Sequence, residues 1–125
     1  AVVVSDFGNN AGLILGNEIP DGRKRALETL SVETFIDGVS VGTGTAAGIP
    51  GGPIESLRFL LENTARRGCP LKAGMGVTTG AVTGIHVIEC GQSSRIVYGG
   101  DGEIHCHAIA ATPQRGTQSL RVPPG

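Results

Sequence analysis

Residues 74–84 are rich in glycine and threonine, and these residue types suit the binding of an oxygen-rich ligand. Gly80 and Gly84 can adopt positive φ and let a ligand approach the backbone. Three threonines can offer hydroxyl groups beside main-chain amides: Thr78, Thr79 and Thr83. The stretch is therefore predicted to form one wall of a pocket.

A polar loop is predicted near the start of the chain, where Asp6, Asn9 and Asn10 stand close together. Such side chains either line a pocket or hydrogen-bond their own backbone in an Asx-turn. The residues alone leave both interpretations open.

Gly51 and Gly52 belong to a glycine-rich segment that leads into a predicted helix. Loops of this kind can bind anions through free amides and the helix dipole. The segment lacks both the G-x-x-x-x-G-K-[ST] and the G-x-G-x-x-G patterns, so a nucleotide site is not favoured.

His105 and His107 flank Cys106 on a predicted strand, so both imidazoles project from one face and could share a metal. A cupin-type site would also need a nearby Glu and a later His, and only a polar tail follows His107. Surface or interface positions are the alternative for both histidines.

The elements that must position these candidate site residues are mostly short strands separated by turns. Asp37-Gly38 predicts a type I′ hairpin turn, because both residues tolerate positive φ. Alternation of apolar residues and turn spacing predict strands at 2–4, 11–16, 29–36, 39–43, 74–79, 85–90, 95–98 and 103–109.

One amphipathic helix is predicted at about 53–67. Pro53 is a favourable first residue, Glu55 complements the amino-terminal dipole, and Gly68 ends the helix. Four residues form its apolar stripe: Ile54, Leu57, Leu60 and Leu61. The predicted fold is mixed α+β, a mostly antiparallel β roll or sandwich with this one helix.

Bulk properties limit the classes of function. The chain has 125 residues and a net charge of −1, with no basic patch for nucleic acid or an anionic membrane. No apolar run reaches the roughly 20 residues of a spanning helix, so the expected location is cytoplasmic. Three cysteines without C-x-x-C spacing argue against a disulfide framework or a structural zinc site. Residues 1–111 are expected to form one domain and 112–125 a flexible tail.

Four short motifs occur in an order that is characteristic as a set: residues 41–44, 51–57, 70–74 and 78–81. In this order they resemble the 2-keto-4-pentenoate hydratase family. That family includes 4-oxalocrotonate decarboxylases and lies within the fumarylacetoacetate hydrolase-like superfamily. Matching segments run from about residue 5 to residue 108, which is most of the chain.

The resemblance implies that Thr79, Gly80 and Ala81 contact the oxygens of a 2-oxo or 2-hydroxydienoic acid. Fixed donors are needed where an enolate forms. It also implies that the segment containing Gly51 and Gly52 passes close to the active site, although Gly52 stands where the family often has His.

The loop of Asp6, Asn9 and Asn10 partly matches an Asp-Asn-x-Ser loop near the family's pocket. Phe7 stands where that loop usually has Asn, so the match is incomplete.

The resemblance further implies a divalent metal, Mg or Mn, held by a Glu-x-Glu pair and a third carboxylate in a segment that precedes the match to residue 1. The family's catalytic lysine and arginine also precede it. We therefore expect no catalytic residue and no metal ligand within this chain. The β-branched start at residues 2–4 suggests a strand cut from a larger sheet.

The resulting expectation is the C-terminal half of a hydratase-like lyase, with the N-terminal half on a partner polypeptide or with the protein as a homo-oligomer. A decarboxylase or C–C bond hydrolase of the same superfamily is an alternative. A non-catalytic stabilising or regulatory subunit and a histidine-metal binding protein are the others.

Overall fold

A computed structural model describes residues 12–112 of the chain. Two 3₁₀ helices, Leu27–Thr29 and Ala46–Gly48, flank the first two strands. The regular elements in chain order are β1 (Ser31–Ile36), β2 (Val39–Thr45), helix α1 (Pro53–Arg66), β3 (Ser93–Val97) and β4 (Glu103–His107). The predicted mixed α+β fold, mostly antiparallel with one helix, is confirmed.

The four strands form one antiparallel sheet in the order β2-β1-β3-β4. Strands β1 and β2 are joined at Asp37 and Gly38, whose φ values of 47° and 79° are those of the predicted type I′ turn. Asp37 also fixes the start of β3, because its Oδ1 accepts a 2.9 Å hydrogen bond from the Ser93 amide. A tight local turn thus determines which strand pairs on each side of β1.

Strand register separates the side chains onto two faces of the sheet. Thr34 lies opposite Gly42 on β2 and opposite Ile96 on β3, so these residues share the face that we call the inner face. The outer face carries polar and charged groups, with the Arg95 guanidinium 4.4 Å from the centre of the Phe35 ring. Residues 82 and 83 lie against this inner face.

Helix α1 begins and ends close to the predicted positions. Pro53 occupies the first turn, and Gly68 follows the helix with φ 77°. On its polar side, Arg58 pairs with Glu62 at 3.4 Å, one turn further along the helix. The apolar stripe is less buried than an amphipathic surface helix would suggest, because Ile54 remains 55% exposed.

Three predicted strands are wrong within the described residues. The stretches 12–16, 74–79 and 85–90 show no strand, and residue 11 lies outside the described range. Their apolar residues alternate but find no partner strand, as the 95% exposure of Ile85 and 88% exposure of Val87 show. Positive φ at Gly74, Gly80 and Gly84 also interrupts an extended conformation.

The buried core is small and lies against the inner face. Ala46 and Ile49 are its buried apolar residues, and Thr34 is buried beside them at 8% exposure. Within the described range, no helix has the length and apolar character needed to cross a membrane. The predicted strand at 2–4 lies outside the described residues, as does the predicted tail from residue 113 onward.

Candidate functional site

A cleft of about 450 Å³ opens between the inner face of the sheet and residues 77–84, which we call the crossing segment because they pass over the sheet without pairing to it. Its floor includes Val32, Thr34 and Ile96. Pro53, the first residue of α1, lines one side. This volume is in the range of small-molecule sites in proteins.

Two glycines of β2 allow the crossing segment to lie directly on the sheet. A Cβ atom built on Gly42 would fall well inside contact distance of the Thr83 carbonyl oxygen. One built on Gly44 would overlap the Val82 carbonyl oxygen in the same way. Because the obstructing atoms are backbone, a side chain at either glycine would push the crossing segment off the sheet. Packing of the crossing segment therefore explains why glycine is needed at positions 42 and 44.

Two hydrogen bonds hold the end of the crossing segment. The hydroxyls of Thr34 and Thr83 lie 2.9 Å apart, joining the floor of the cleft to the segment above it. The His86 Nε2–H donates to the Thr83 carbonyl oxygen at 2.8 Å. Thr34 is the buried member of the hydroxyl pair, so this bond is shielded from competing water.

Thr79, Gly80 and Ala81 all line the cleft, as does Thr78. Gly80 has φ 124° and open space where a Cβ would stand, so its backbone atoms themselves form part of the wall. Within residues 12–112, the amides of these three residues have no backbone acceptor. Donation from these amides to a ligand stays a prediction.

The opposite wall comes from the turn between β3 and β4. The Asp101 amide donates to the Tyr98 carbonyl at 2.9 Å, and the Tyr98 amide donates to the Gly102 carbonyl at 2.9 Å. This turn places Tyr98 and Asp101 in the cleft wall. Arg25 makes a 2.7 Å ion pair with the Asp101 carboxylate from outside that wall.

Gly51 and Gly52 stand at the amino end of α1, beside the lining residue Pro53 but not themselves in the described cleft wall. Gly52 has φ 86°, and a Cβ there would lie 2.8 Å from Leu27 Cδ1. Leu27 therefore fills the space that a side chain at Gly52 would need. A ligand-binding role for the two glycines stays a prediction.

Asp6, Asn9 and Asn10 lie outside the described residues, and their predicted role is untested. Among the cleft residues that were not predicted from sequence are Thr34, Tyr98 and Asp101. A signal for Thr34 existed, since it is a polar residue at an inward position of an alternating strand. Tyr98 and Asp101 carried none, because their placement depends on how β3 and β4 pair.

The described residues do not gather a metal site. No three His, Cys, Asp or Glu side chains in residues 12–112 converge so as to hold an ion. His105 Nε2 instead lies 2.9 Å from Glu103 Oε1 on the outer face, and His107 contacts Ser93. The hydrogen bond from His105, assisted by Arg95, lowers the pKa of the Glu103 carboxyl. These residues do not fit the Mg or Mn that the resemblance implies.

Comparison with known proteins finds two similar enzymes. The chain is 29% identical over 106 residues to 2-oxo-hept-4-ene-1,7-dioate hydratase from Escherichia coli, and the match covers 85% of the chain. It is 28% identical over 107 residues to 4-oxalocrotonate decarboxylase from Pseudomonas putida. The chain spans 40% of the length of each of these relatives. No family model matches the chain. The resemblance to the hydratase and decarboxylase family is confirmed by these two matches.

Proposed function

We propose that the cleft binds a 2-oxo or 2-hydroxydienoic acid and that the chain forms part of the active site of a hydratase- or decarboxylase-like lyase. The observation that carries the proposal is the position of Thr79, Gly80 and Ala81. The family resemblance implies that these residues contact substrate oxygens, and they line the cleft that lies over the sheet. Similarity to a hydratase and a decarboxylase supports the same class of chemistry.

The crossing segment suits the chemistry of such acids. Removing a proton from a 2-oxo acid gives an enolate, which carries negative charge on the oxygen at carbon 2, next to the carboxylate. Donors already aimed at that oxygen stabilise the charge without having to reorganise. The Thr79 hydroxyl and the amides of Gly80 and Ala81 are donors of this kind, held by the packing of the segment on β2.

We further propose that the groups for proton transfer, and ligands for Mg or Mn, come from residues other than those described. This follows the resemblance, in which those groups precede the matching region. The described residues would then orient the substrate oxygens and exclude water on one side of the site. A partner chain, or a further part of the same polypeptide, would supply the other side.

Decarboxylation is a second candidate reaction, because the match to the decarboxylase is almost as strong as the match to the hydratase. Both reactions pass through charge on the same substrate oxygens. The crossing segment would serve either reaction, and product identification would separate water addition from release of carbon dioxide.

Thr79→Val tests the proposal. Thr43→Val is the matched control, because Thr43 is an exposed threonine of β2 outside the cleft wall. The protein is isolated from its source with any copurifying chain retained, and loss of dienoate absorbance is followed with Mg²⁺ or Mn²⁺ present. Losing a hydrogen bond to a charged oxygen removes about 1.5–3 kcal/mol, so we expect kcat/KM to fall roughly 10- to 100-fold. Thr43→Val should retain activity.

Unchanged turnover in Thr79→Val would contradict the catalytic proposal and favour the alternative that the chain is a non-catalytic subunit. No dienoate turnover in the unmodified protein would have the same consequence. Circular dichroism and thermal unfolding of both variants establish that the comparison is made between folded proteins.

A further inference from the structure

Asp101 gives the cleft an unusual electrostatic character for an anion-binding site. Tyr98 and Asp101 are the ionisable side chains of the described cleft wall, which within residues 12–112 contains no Lys, Arg or His. The remainder of that wall is largely apolar or carries neutral hydroxyls. Any substrate that extends from the crossing segment toward the turn between β3 and β4 therefore meets a carboxylate.

Arg25 does not turn this end of the cleft into a carboxylate receptor. Its Nη1 donates to Asp101 Oδ2 at 2.7 Å, and its Nη2 reaches the Thr29 carbonyl oxygen at 3.4 Å. Arg25 is 30% exposed at its side chain and lies outside the cleft wall, whereas Asp101 is 17% exposed and lies within it. Arg25 therefore balances the charge of Asp101 without itself lining the cleft.

We propose that Asp101 is a specificity-determining residue that disfavours substrates with a second carboxylate. The preferred substrate is then a short 2-oxo or 2-hydroxydienoic acid whose remaining carbon chain is uncharged. This inference rests on the proposed function, which places the first carboxylate and its neighbouring oxygen at Thr79–Ala81. It contrasts with the Escherichia coli relative, whose name gives a dioate as its substrate.

The size of the effect follows from Coulomb's law. Two unit negative charges roughly 6 Å apart disfavour binding by about 3-fold in bulk water and about 100-fold at the lower dielectric of a protein surface. Arg25 offsets part of the field of Asp101, so the lower part of that range applies. We expect a preference of about three- to tenfold for the uncharged chain, reduced by added salt.

Matched pairs of stable 2-oxo acids provide the test. The pair 2-oxopentanoate and 2-oxopentanedioate differs only in the distal group, and 2-oxohexanoate with 2-oxohexanedioate repeats the comparison one carbon longer. Binding is measured by calorimetry on the intact protein with Mg²⁺ at a fixed concentration. The monocarboxylate of each pair should bind about three- to tenfold more tightly.

Two variants assign the preference to the ion pair. Asp101→Asn should abolish it by improving binding of the dicarboxylates alone, and Arg25→Gln should enlarge it by leaving the acid unbalanced. If Asp101→Asn does not fold, the change in preference measured for Arg25→Gln still tests the role of Asp101. An arginine that captures the distal carboxylate would predict the reverse, a selective loss of dicarboxylate binding in Arg25→Gln.

The outcomes separate this inference from the proposed function. Equal or tighter binding of the dicarboxylates, or a preference unchanged in Asp101→Asn, overturns the specificity role while leaving the oxo-acid site in place. Failure of all four acids to bind overturns the proposed function, and the inference with it. Binding reduced by Thr79→Val confirms that the acids occupy the cleft.

Discussion

Gly44→Ala should displace the crossing segment and weaken the site, although alanine is normally tolerated in a strand. The Gly44 φ value lies outside the positive range that only glycine favours, so alanine introduces no backbone strain there. Its Cβ would, however, overlap the Val82 carbonyl oxygen. The substitution therefore isolates one steric contact between β2 and the segment that forms the roof of the cleft.

The expected cost combines two opposing terms. Overpacking costs about 1–3 kcal/mol, and the upper half applies because a backbone oxygen cannot rotate away as a side chain would. Replacing glycine by alanine in a strand recovers roughly 0.5–1 kcal/mol of conformational entropy. The net loss in the free energy of unfolding should be about 1–2.5 kcal/mol, and binding of 2-oxopentanoate should weaken in parallel.

Gly48→Ala is the control for this prediction. Gly48 also has no positive φ, and no atom lies within 4 Å of its built Cβ. Its replacement should leave stability unchanged or raise it by roughly 0.4–1 kcal/mol. Urea unfolding gives the free energies and calorimetry gives the binding constants. If Gly44→Ala matched Gly48→Ala in both measurements, the described contact between β2 and the crossing segment would be refuted.

Two other contacts make testable predictions. A double-mutant cycle of Thr34→Val and Thr83→Val should give a coupling of about 0.5–1.5 kcal/mol, and additive effects on urea unfolding would contradict the hydroxyl pair. Glu103→Gln should lower Tm at pH 7. The hydrogen bond from His105 lowers the pKa of Glu103 in the folded protein. The ionised carboxylate therefore stabilises the fold above the unfolded pKa of about 4.3, and this stabilisation is lost as the pH falls through the folded pKa. The difference in Tm between the two proteins should therefore shrink as the pH is lowered and vanish below the folded pKa of Glu103.

Local signals in the sequence predicted the elements that depend on neighbouring residues. Asp37-Gly38 predicted the hairpin because the turn conformation is set by the two residues themselves. Pro53 and Gly68 predicted the ends of α1 for the same reason. Strand assignment failed at 74–79 and 85–90, where alternation was present but a partner was not. Pairing is decided by distant residues, so alternation alone could not distinguish a strand from a segment that crosses the sheet.

The same distinction applies to the site. Residue types predicted a pocket wall at 74–84, because glycine and threonine leave amides and hydroxyls open to a ligand. The resemblance singled out Thr79, Gly80 and Ala81 within it, and their contact with substrate stays a prediction. Asp101 could not be predicted, since nothing near it in sequence marks it as part of a cleft. It reaches the wall through the register of β3 with β4 and through a turn that begins at Tyr98.

Contacts between distant motifs explain why the ordered set of motifs was informative when each motif alone was weak. The glycines at 42 and 44 are needed because residues 82 and 83 lie on them, and this contact positions the preceding Thr79–Ala81 wall. The motif at 51–57 supplies Pro53 to another side of the same cleft. Two of the four motifs thus line one cavity, and a third packs against the segment that forms its wall. A glycine pair, a helix start or a Thr-Gly-Ala turn each has many possible uses, but their order along the chain reflects a single arrangement in space. Gly44→Ala therefore tests the proposed site as well as the fold.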